Sequence, residues 1–502
     1  MLPRTISGLS NPHLLQWCLS VSFFLPLGMN VLESRAFGQD PGFKVKEVKL
    51  KTEKEVGDKA KEKDKAKNGK SEKLDLAPLD EYYRDYLIPL LTQPSPEGIN
   101  RARKEISDDL DALERNKDLL AKFNSTFIPQ MRELALKDKD GKAYSPQARI
   151  NAAVLLGRLN SSVSTGGVKT PEVGVQPVLA SLIDQKDNDG LTSSALSTIA
   201  RHVSSNAVSE RGRKFFVEKL QTHFTSPSPP MRTPEAHSYL TEQVIECLTL
   251  IAKIEPDKEP SKLAVAALTP ELVKIIEAQE SEWLVESALL SLGAIKTVNL
   301  TPEAVLTIEK GIAKFAKQSL KDWKKRIANS SGSVASSGYP GGGMGGMGSS
   351  MGSSEGSSSE SGYEGYGGAA APKTNQKKNA LEEQPKEVKN ARRIAHQRFE
   401  RIHYALNGAF RKPSQANATS EEKALLTLVA AEEKAKVSDL LAKVQDFQKE
   451  LNDEKVKDLA TLSFAVFKSV KGIRTACDVI LGETKDPTAS DTTEDPVFPV
   501  TP

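Results

Sequence analysis

One short helical pattern occurs four times in the chain, and it constrains the fold more than any other feature. Each copy has two small or apolar residues, two variable positions, a large apolar residue and then a small residue. The copies begin at Ala152, Ala195, Cys247 and Ala288, so they are offset by 43, 52 and 41 residues. A recurrence of this length, carried by amphipathic helices, is typical of stacked helical repeats.

The repeated helices have one apolar face. In the third copy that face consists of Val244, Cys247, Leu248, Ile251 and Ile254. Their spacing of i, i+3, i+4 and i+7 or more predicts a helix buried on one side. The first two copies are weaker, because Arg149 and Thr192 stand where the third has Val244. We therefore expect any bend in the repeat array to lie near the second copy, where His202 also replaces an apolar residue.

The small residue of the pattern recurs in register. Its four occurrences are Gly157, Ala200, Ala252 and Gly293. Because a small side chain lets another backbone come near, this position predicts a close crossing by a neighbouring helix.

A second motif marks candidate helix starts. The tripeptide Thr-Pro-Glu occurs at Thr170, Thr233, Thr269 and Thr301, and close relatives occur at Ser95 and Ser145. A hydroxyl can cap a free backbone N–H, proline is tolerated in the first turn, and glutamate suits the positive end of the helix dipole. Each copy therefore predicts a helix that begins there.

The repeated pattern resembles HEAT or armadillo repeats, and residues 152–159 are most similar to the second helix of a HEAT repeat. The resemblance covers about half of the chain and implies protein–protein scaffolding along a concave surface. We therefore expect an all-α fold with a HEAT-like α-solenoid at 76–327 and a smaller helical region at 376–482. Whether that second region packs on the first is left open.

The chain outside these helices has the composition of non-globular segments. Residues 1–38 resemble an export signal, with Arg4 before an apolar run and a small-x-small pattern that places Gln39 at the mature terminus. An uncleaved membrane anchor is the alternative. Residues 39–75, a lysine- and glutamate-rich tract, are expected to be a disordered spacer because they hold too few apolar residues to fold. A polybasic tether to an anionic surface is the alternative, which the interspersed Glu and Asp weaken.

Two further segments are expected to be disordered. Residues 328–375 are rich in glycine and serine, which is typical of a flexible linker. They lack the lysine and the flanking strand of a phosphate-binding loop. Residues 483–502 form a tail rich in Asp, Thr and Pro.

The three cysteines do not form a disulfide framework or a metal motif. Cys18 lies in the export signal. Cys247 lies in the repeat register and is expected to be a small core residue, with a disulfide to Cys477 as the alternative.

The histidines give no catalytic or metal-binding pattern. His396 and His403 are seven residues apart with Glu400 between them, which is not the i, i+4 pair of a zinc protease helix. Arginines at 392, 393, 398 and 401 make the same helix basic, so we expect a solvated face, with an acidic partner as the functional alternative. We expect His202 to stabilise the end of its helix.

The sequence thus predicts no catalytic, cofactor-binding or metal-ligating residue and no cofactor. A formal net charge of +3 in 502 residues gives no support for nucleic-acid binding. We expect an exported, non-enzymatic scaffold or adaptor with a protein partner, and no membrane association beyond an N-terminal anchor. The alternatives are a structural cell-envelope protein tethered by that anchor, and an enzyme whose site is not visible in sequence. The partner's identity and the oligomeric state are not predicted.

Overall fold

The structure is a computed structural model that describes residues 43–67, 77–138, 141–164, 167–185, 188–295, 300–335, 386–407, 425–453 and 458–483. These residues are mostly helical, which confirms the predicted all-α class. The strands among them form a single antiparallel pair. The chain divides into two compact units between Ala207 and Val208, within the region that the sequence predicts as one repeat domain.

The first unit consists of short helices with a β-hairpin near its middle. Its elements are α1 (Glu53–Lys67), α2 (Ala77–Tyr82), a π-helical turn (Tyr83–Leu87), α3 (Ile88–Thr92), α4 (Pro96–Leu113), α5 (Lys117–Ala135), α6 (Pro146–Arg158), β1 (Asn160–Val163), β2 (Lys169–Pro171), a 3-10 turn (Val173–Val175), α7 (Gln176–Ile183) and α8 (Asp189–Ser204). Helix α6 packs against α5 and α8, and α7 packs against α8. In the hairpin, Asn160 lies opposite Pro171.

The second unit is built from longer helices. They are α9 (Glu210–Thr225), α10 (Pro234–Lys253), α11 (Glu259–Ala278), α12 (Glu282–Ala294), α13 (Pro302–Ala335), α14 (Lys386–Asn407), α15 (Leu425–Leu428), α16 (Ala431–Leu451) and α17 (Leu459–Leu481). Helices α9, α11, α13 and α17 pack on one another in that order, and so do α10, α12, α14 and α16. The helices therefore form two layers.

The repeated pattern supplies the core of both units. Its large apolar residues Leu156, Ile199, Ile251 and Leu292 are all buried. Removing a side chain of this size from water stabilises a fold by about 1.5–3 kcal/mol. Cys247 is also fully buried, as predicted, and it does not form the alternative disulfide to Cys477.

The polar residues within the repeat register are buried as well. Arg149 of α6 donates from Nε to the carbonyl of Ala135 at 3.0 Å and from Nη2 to Gln185 Oε1 at 3.0 Å. Thr192 Oγ1 donates to the carbonyl of Gln185 at 3.4 Å. Because these hydrogen bonds satisfy their polar atoms, Arg149 and Thr192 are buried at positions where the other copies have valine.

Four of the six predicted caps begin helices. Ser95 and Ser145 accept from backbone N–H groups three residues later at 3.3 Å, and Thr233 and Thr301 do so at 3.2 Å. Each is followed by proline in the first turn. The local capping argument therefore places the starts of α4, α6, α10 and α13 correctly.

The other two predicted starts are wrong. Thr170 and Pro171 belong to strand β2. Thr269 and Pro270 lie inside α11, which begins ten residues earlier, at Glu259, with Pro260 in its first turn. Thr269 Oγ1 donates to the carbonyl of Val265 at 2.8 Å, a bond along the helix that takes the place of a cap.

Helices from residues 386–481 pack into the second unit rather than forming a separate body. Helix α14 lies against α12 and α13. The Trp323 indole donates to the carbonyl of Ala391 at 3.0 Å, and its ring meets Phe447 edge-on at 5.6 Å. Residues 336–385 therefore separate, along the chain, two helices that pack together. Helix α13 continues to Ala335, past the predicted linker start at 328.

The charged tract differs most from its sequence prediction. Residues 43–67, named the lysine strap here, lie on the first unit, and their second half is helix α1. Lys63 and Ala66 of α1 are buried. The prediction of disorder is wrong for these residues because ion pairs, together with hydrogen bonds from the backbone of Lys44, Lys46 and Lys49, hold them in place of apolar burial.

Several predicted segments lie outside the described residues. They are the export signal at 1–38 with Cys18, most of the linker at 328–375, and all but the first residue of the tail at 483–502. Among the described helices, none is long and apolar enough to span a membrane.

Candidate functional site

An open polar cleft of about 240 Å³ lies in the first unit, beside the β-hairpin. Its lining residues are Leu110, Asp111, Glu114, Gly157, Arg158, Asn160, Lys169 and Arg201. They come from α4 and the chain after it, the end of α6, both strands and α8. The cleft therefore forms where two copies of the repeat pack side by side.

Arg201 is central to this cleft. Its guanidinium reaches from α8 to the end of α6, where it donates to the carbonyl of Gly157 and to Asn160 Oδ1. A contact of 3.5 Å also joins Nη1 to the carbonyl of Leu159. The last carbonyls of a helix lack hydrogen-bond donors within that helix. Arg201, which belongs to the next repeat copy, supplies such donors to the C-terminal end of α6.

Asn160 connects this arginine to the rest of the site. Its Nδ2 donates to Glu114 Oε1, and its backbone carbonyl accepts from Asn124 Nδ2 at 2.8 Å. Lys169 of β2 pairs with Glu114 Oε2 at 2.8 Å. The side chains thus form a continuous polar network from α4 through the hairpin to α8.

The charges of the cleft are unbalanced. Three cationic side chains, Arg158, Lys169 and Arg201, face two carboxylates, Asp111 and Glu114. Burial lowers the pKa of the Arg201 guanidinium, while Glu114 opposes that shift and Arg158 adds to it. Arg158 is exposed and donates to Ser107 Oγ at 2.5 Å. The cleft therefore suits an anionic group such as a carboxylate.

The dimensions of the cleft favour a side chain over a cofactor. Drug-sized molecules and cofactors usually occupy enclosed, mostly apolar pockets of about 300–1,000 Å³. This cleft is smaller and open, and six of its eight lining residues are charged or carry an amide. It has room for a group of about the size of a carboxylate side chain.

His202, next to Arg201, does not cap its helix as predicted. Its ring is fully buried, and neither ring nitrogen has a hydrogen-bond partner among the described residues. Burial lowers its pKa to about 4, and the charge of Arg201 adds to the effect. The imidazole is therefore neutral and occupies its apolar position as a core side chain.

His396 and His403 do not form a shared metal site. Each contacts a residue in α16 or just after it. His396 Nε2 lies 2.8 Å from Asn452 Oδ1, and His403 Nε2 lies 3.1 Å from Gln445 Nε2. Across the described ranges, no group of three His, Cys, Asp or Glu side chains is placed to hold a metal ion. These two histidines join neighbouring helices.

Three of the four arginines predicted as a solvated face of α14 are buried and one, Arg393, is exposed, so the prediction is wrong for Arg392, Arg398 and Arg401. Arg398 contacts Glu282 at 2.5 Å and lies 3.5 Å from Asp322, and Arg401 pairs with Glu286. Burial lowers the pKa of Arg401 to about 10. The acidic partner expected from another protein or from the tail is therefore supplied by α12 and α13 of the same unit.

The sequence did not identify most of the cleft residues. Glu114, Asn160 and Lys169 belong to no motif, and the hairpin was not predicted. One available signal is that Arg158 and Arg201 occupy the same register position in the first two copies of the repeat, 43 residues apart. A cationic residue that recurs at one position of the repeat predicts that one edge of the stacked helices is basic.

Comparisons with known proteins identify no relative: no protein-family model, no curated protein and no solved structure matches this chain.

Proposed function

We propose that this protein is a non-enzymatic scaffold or adaptor that binds another protein through a surface of HEAT-like helical repeats. The observation that carries the proposal is the cationic cleft, formed where one repeat copy packs on the next. Stacked repeats present extended surfaces to partners, and an open, charged cleft is suited to side chains on such a partner.

The helix packing supports the repeat assignment in each unit. In the second unit α10, α12, α14 and α16 form one layer, and each has a neighbour in the other layer. In the first unit, the register residues Gly157 and Thr198 of α6 and α8 are in close contact. The helices of consecutive copies thus pack directly against each other, which supports a stacked arrangement.

The charge of the cleft specifies the kind of partner. With Glu114 paired to Lys169, an incoming carboxylate would meet the guanidinium groups of Arg158 and Arg201. Arginine binds carboxylates in a bidentate fashion, which gives directional recognition. The partner is therefore a protein that presents an acidic segment.

Affinity capture from an extract of the source organism tests this proposal. The full chain should retain a stoichiometric protein partner, and the double variant Arg158→Glu, Lys169→Glu should lose it. A matched variant, Lys104→Glu with Lys117→Glu, makes the same charge change at exposed residues outside the cleft. The proposal is wrong if no stoichiometric partner is captured, or if both variants retain it equally.

Export is part of the proposal and needs a separate measurement. N-terminal sequencing of the purified protein should give Gln39 as the first residue. A protein that retains residues 1–38 would instead favour the tethered cell-envelope component, and the lysine strap would then follow the anchor.

A further inference from the structure

The lysine strap lies along a series of carboxylates on the first unit. Six of its lysines form ion pairs with carboxylates outside the strap: Lys44 with Asp138, Lys46 with Glu133, Lys49 with Asp85, Lys59 with Glu81, Lys63 with Glu105 and Asp109, and Lys67 with Asp109. These carboxylates, called the acidic track below, belong to α2, the π-helical turn, α4, α5 and the residues just after α5. The strap is therefore paired with acidic groups from its beginning to its end.

The centre of the track is a cage for one ammonium group. Lys63 Nζ lies 2.6 Å from Glu105 Oε1, 3.0 Å from Asp109 Oδ2 and 4.9 Å from the centre of the Tyr82 ring. The Tyr83 hydroxyl donates to Asp109 Oδ2 at 3.1 Å. Only 3% of Lys63 and 2% of Asp109 is exposed. Two carboxylates and an aromatic face thus surround a compact cation.

The cage is suited to lysine more than to arginine. A lysine ammonium is a point charge with three donors, whereas a guanidinium is a planar fork that needs paired acceptors in its plane. Asp109 already uses its second oxygen, Oδ1, to hold Lys67 Nζ at 2.7 Å. Two lysines four residues apart on one helix therefore share a single buried aspartate.

The attachment of α1 depends on charge. Ala66 is the one buried apolar side chain of this helix, and Lys63 is the other buried residue. Four outer ion pairs of the strap involve partly exposed side chains, so each contributes at most about 1 kcal/mol and is screened by salt; they are those of Lys44, Lys46, Lys49 and Lys59. The pairs of Lys63 and Lys67 with Asp109 are largely buried, so a departing ammonium group leaves a buried carboxylate that favours a replacement ammonium group.

We propose that the acidic track is a binding site for lysine-rich polypeptide segments, and that the lysine strap is its exchangeable intramolecular occupant. The site recognises two lysines at i and i+4 on a helix, with further lysines along an extended stretch that precedes it. An incoming segment of this kind must displace the strap. The proposal does not depend on the cationic cleft, which has the opposite charge preference.

Peptide binding to the full chain tests the proposal. The variant Lys63→Glu, Lys67→Glu should release its own α1, so a fluorescent peptide of residues 43–67 should bind it saturably. The unaltered chain should bind the peptide at least about tenfold more weakly, because its tethered strap competes at a high effective concentration. The same peptide with Lys63 and Lys67 replaced by Glu is the control and should not bind.

Two outcomes would overturn the inference. One is a variant chain that fails to bind the peptide although the amides of its other helices, such as α6, stay as protected from hydrogen exchange as in the unaltered chain. The other is equal binding of the native and control peptides.

Hydrogen exchange of the unaltered chain provides a second test that needs no variant. The amides of 53–67 should exchange at least about tenfold faster when sodium chloride is raised from 0.05 to 0.5 M, because the Debye length falls from roughly 14 to 4 Å. The amides of α6 should not change. Equal protection of α1 at both salt concentrations would show that the strap is a fixed part of the fold and would refute the proposal.

Discussion

Gly157 and Thr198 approach so closely that a Cβ added at residue 157 would lie 2.4 Å from the Thr198 hydroxyl oxygen. Thr198 is β-branched, and its hydroxyl donates to the carbonyl of Ser194 at 2.8 Å, so it cannot move away freely. We expect Gly157→Ala to reduce the stability of the first unit by about 1–3 kcal/mol, the usual cost of overpacking. Hydrogen exchange of the α8 amides measures this loss.

A double-mutant cycle identifies the cause of that loss. Adding Thr198→Ala removes the clashing oxygen and should recover most of the stability lost on Gly157→Ala. As a matched control, Gly98→Ala in α4 should be neutral or slightly stabilising, since its added Cβ would have its nearest neighbour at 3.6 Å. Additive effects of the Gly157 and Thr198 changes would contradict the close packing of α6 and α8.

The buried imidazole of His202 should make the first unit sensitive to acid. Its pKa is about 4 in the folded chain, lowered from an ordinary value of 6.5. The neutral ring is compatible with the fold above pH 6.5, and stability is lost as pH falls through 6.5 towards 4, because the unfolded chain takes up the proton first. Between pH 7 and pH 4.5 the loss from this residue is roughly 2–3 kcal/mol.

Replacing His202 by leucine, the residue type at this position in the first copy, removes that contribution. We expect His202→Leu to unfold less readily at pH 4.5 and to change little at pH 7, as measured by exchange of the α8 amides. The control is His396→Leu, which alters a half-buried ring bonded to Asn452. If both variants have the same pH dependence of α8 exchange as the parent chain, the argument about His202 fails.

The repeat register predicted the core well because its information is local. A small residue at position 157 and at position 293 correctly indicated close approach, by Thr198 and Tyr404 respectively. Burial of Cys247 followed from the same alignment of copies. In each case the periodicity of one helix was enough to identify the face that another element covers.

Two of the wrong predictions concern residues whose partners are distant in sequence. Lys63 and Arg398 look like solvated cations in their own segments, yet each is buried against carboxylates at least 42 residues away. A prediction from the composition of a segment considers how much apolar surface the segment can bury. It does not include ion pairs with residues that are distant in sequence. The helix start predicted at Thr269 is wrong for a different reason. A capping motif does not show whether a helix has already begun earlier, as this one does at Glu259.

Glu309 should make the second unit less stable at high pH. Its carboxyl is 3% exposed, and burial together with the nearby charge of Glu433 raises its pKa to about 7, while Lys436 opposes the shift. Because the folded pKa is above the ordinary value of 4.5, stability is fully present below pH 4.5 and is lost as pH rises through 7. The full loss is roughly 3 kcal/mol.

Glu309→Gln keeps the shape of the side chain and cannot ionise. We expect the variant to be more stable than the parent chain at pH 8 and nearly equal to it at pH 4. Tryptophan fluorescence during urea unfolding reports on the second unit, where Trp283 and Trp323 lie. Glu303→Gln, at an exposed position in the first turn of the same helix, is the control. A stability difference that is the same at both pH values would contradict ionisation of a buried carboxyl.

Arg398 should contribute far more to stability than an arginine of the same helix that faces solvent. Its guanidinium is buried and lies among Glu282, Glu286 and Asp322. Glu286 is also buried and keeps Arg401 as a partner in Arg398→Ala, so we expect a cost of roughly 2–3 kcal/mol from the lost ion pairs and the lost packing of the side chain. Arg393→Ala, at an exposed position, should change stability by less than about 0.5 kcal/mol. Urea unfolding followed by tryptophan fluorescence measures both, and equal, small effects would restore the solvated basic face that the sequence alone predicts.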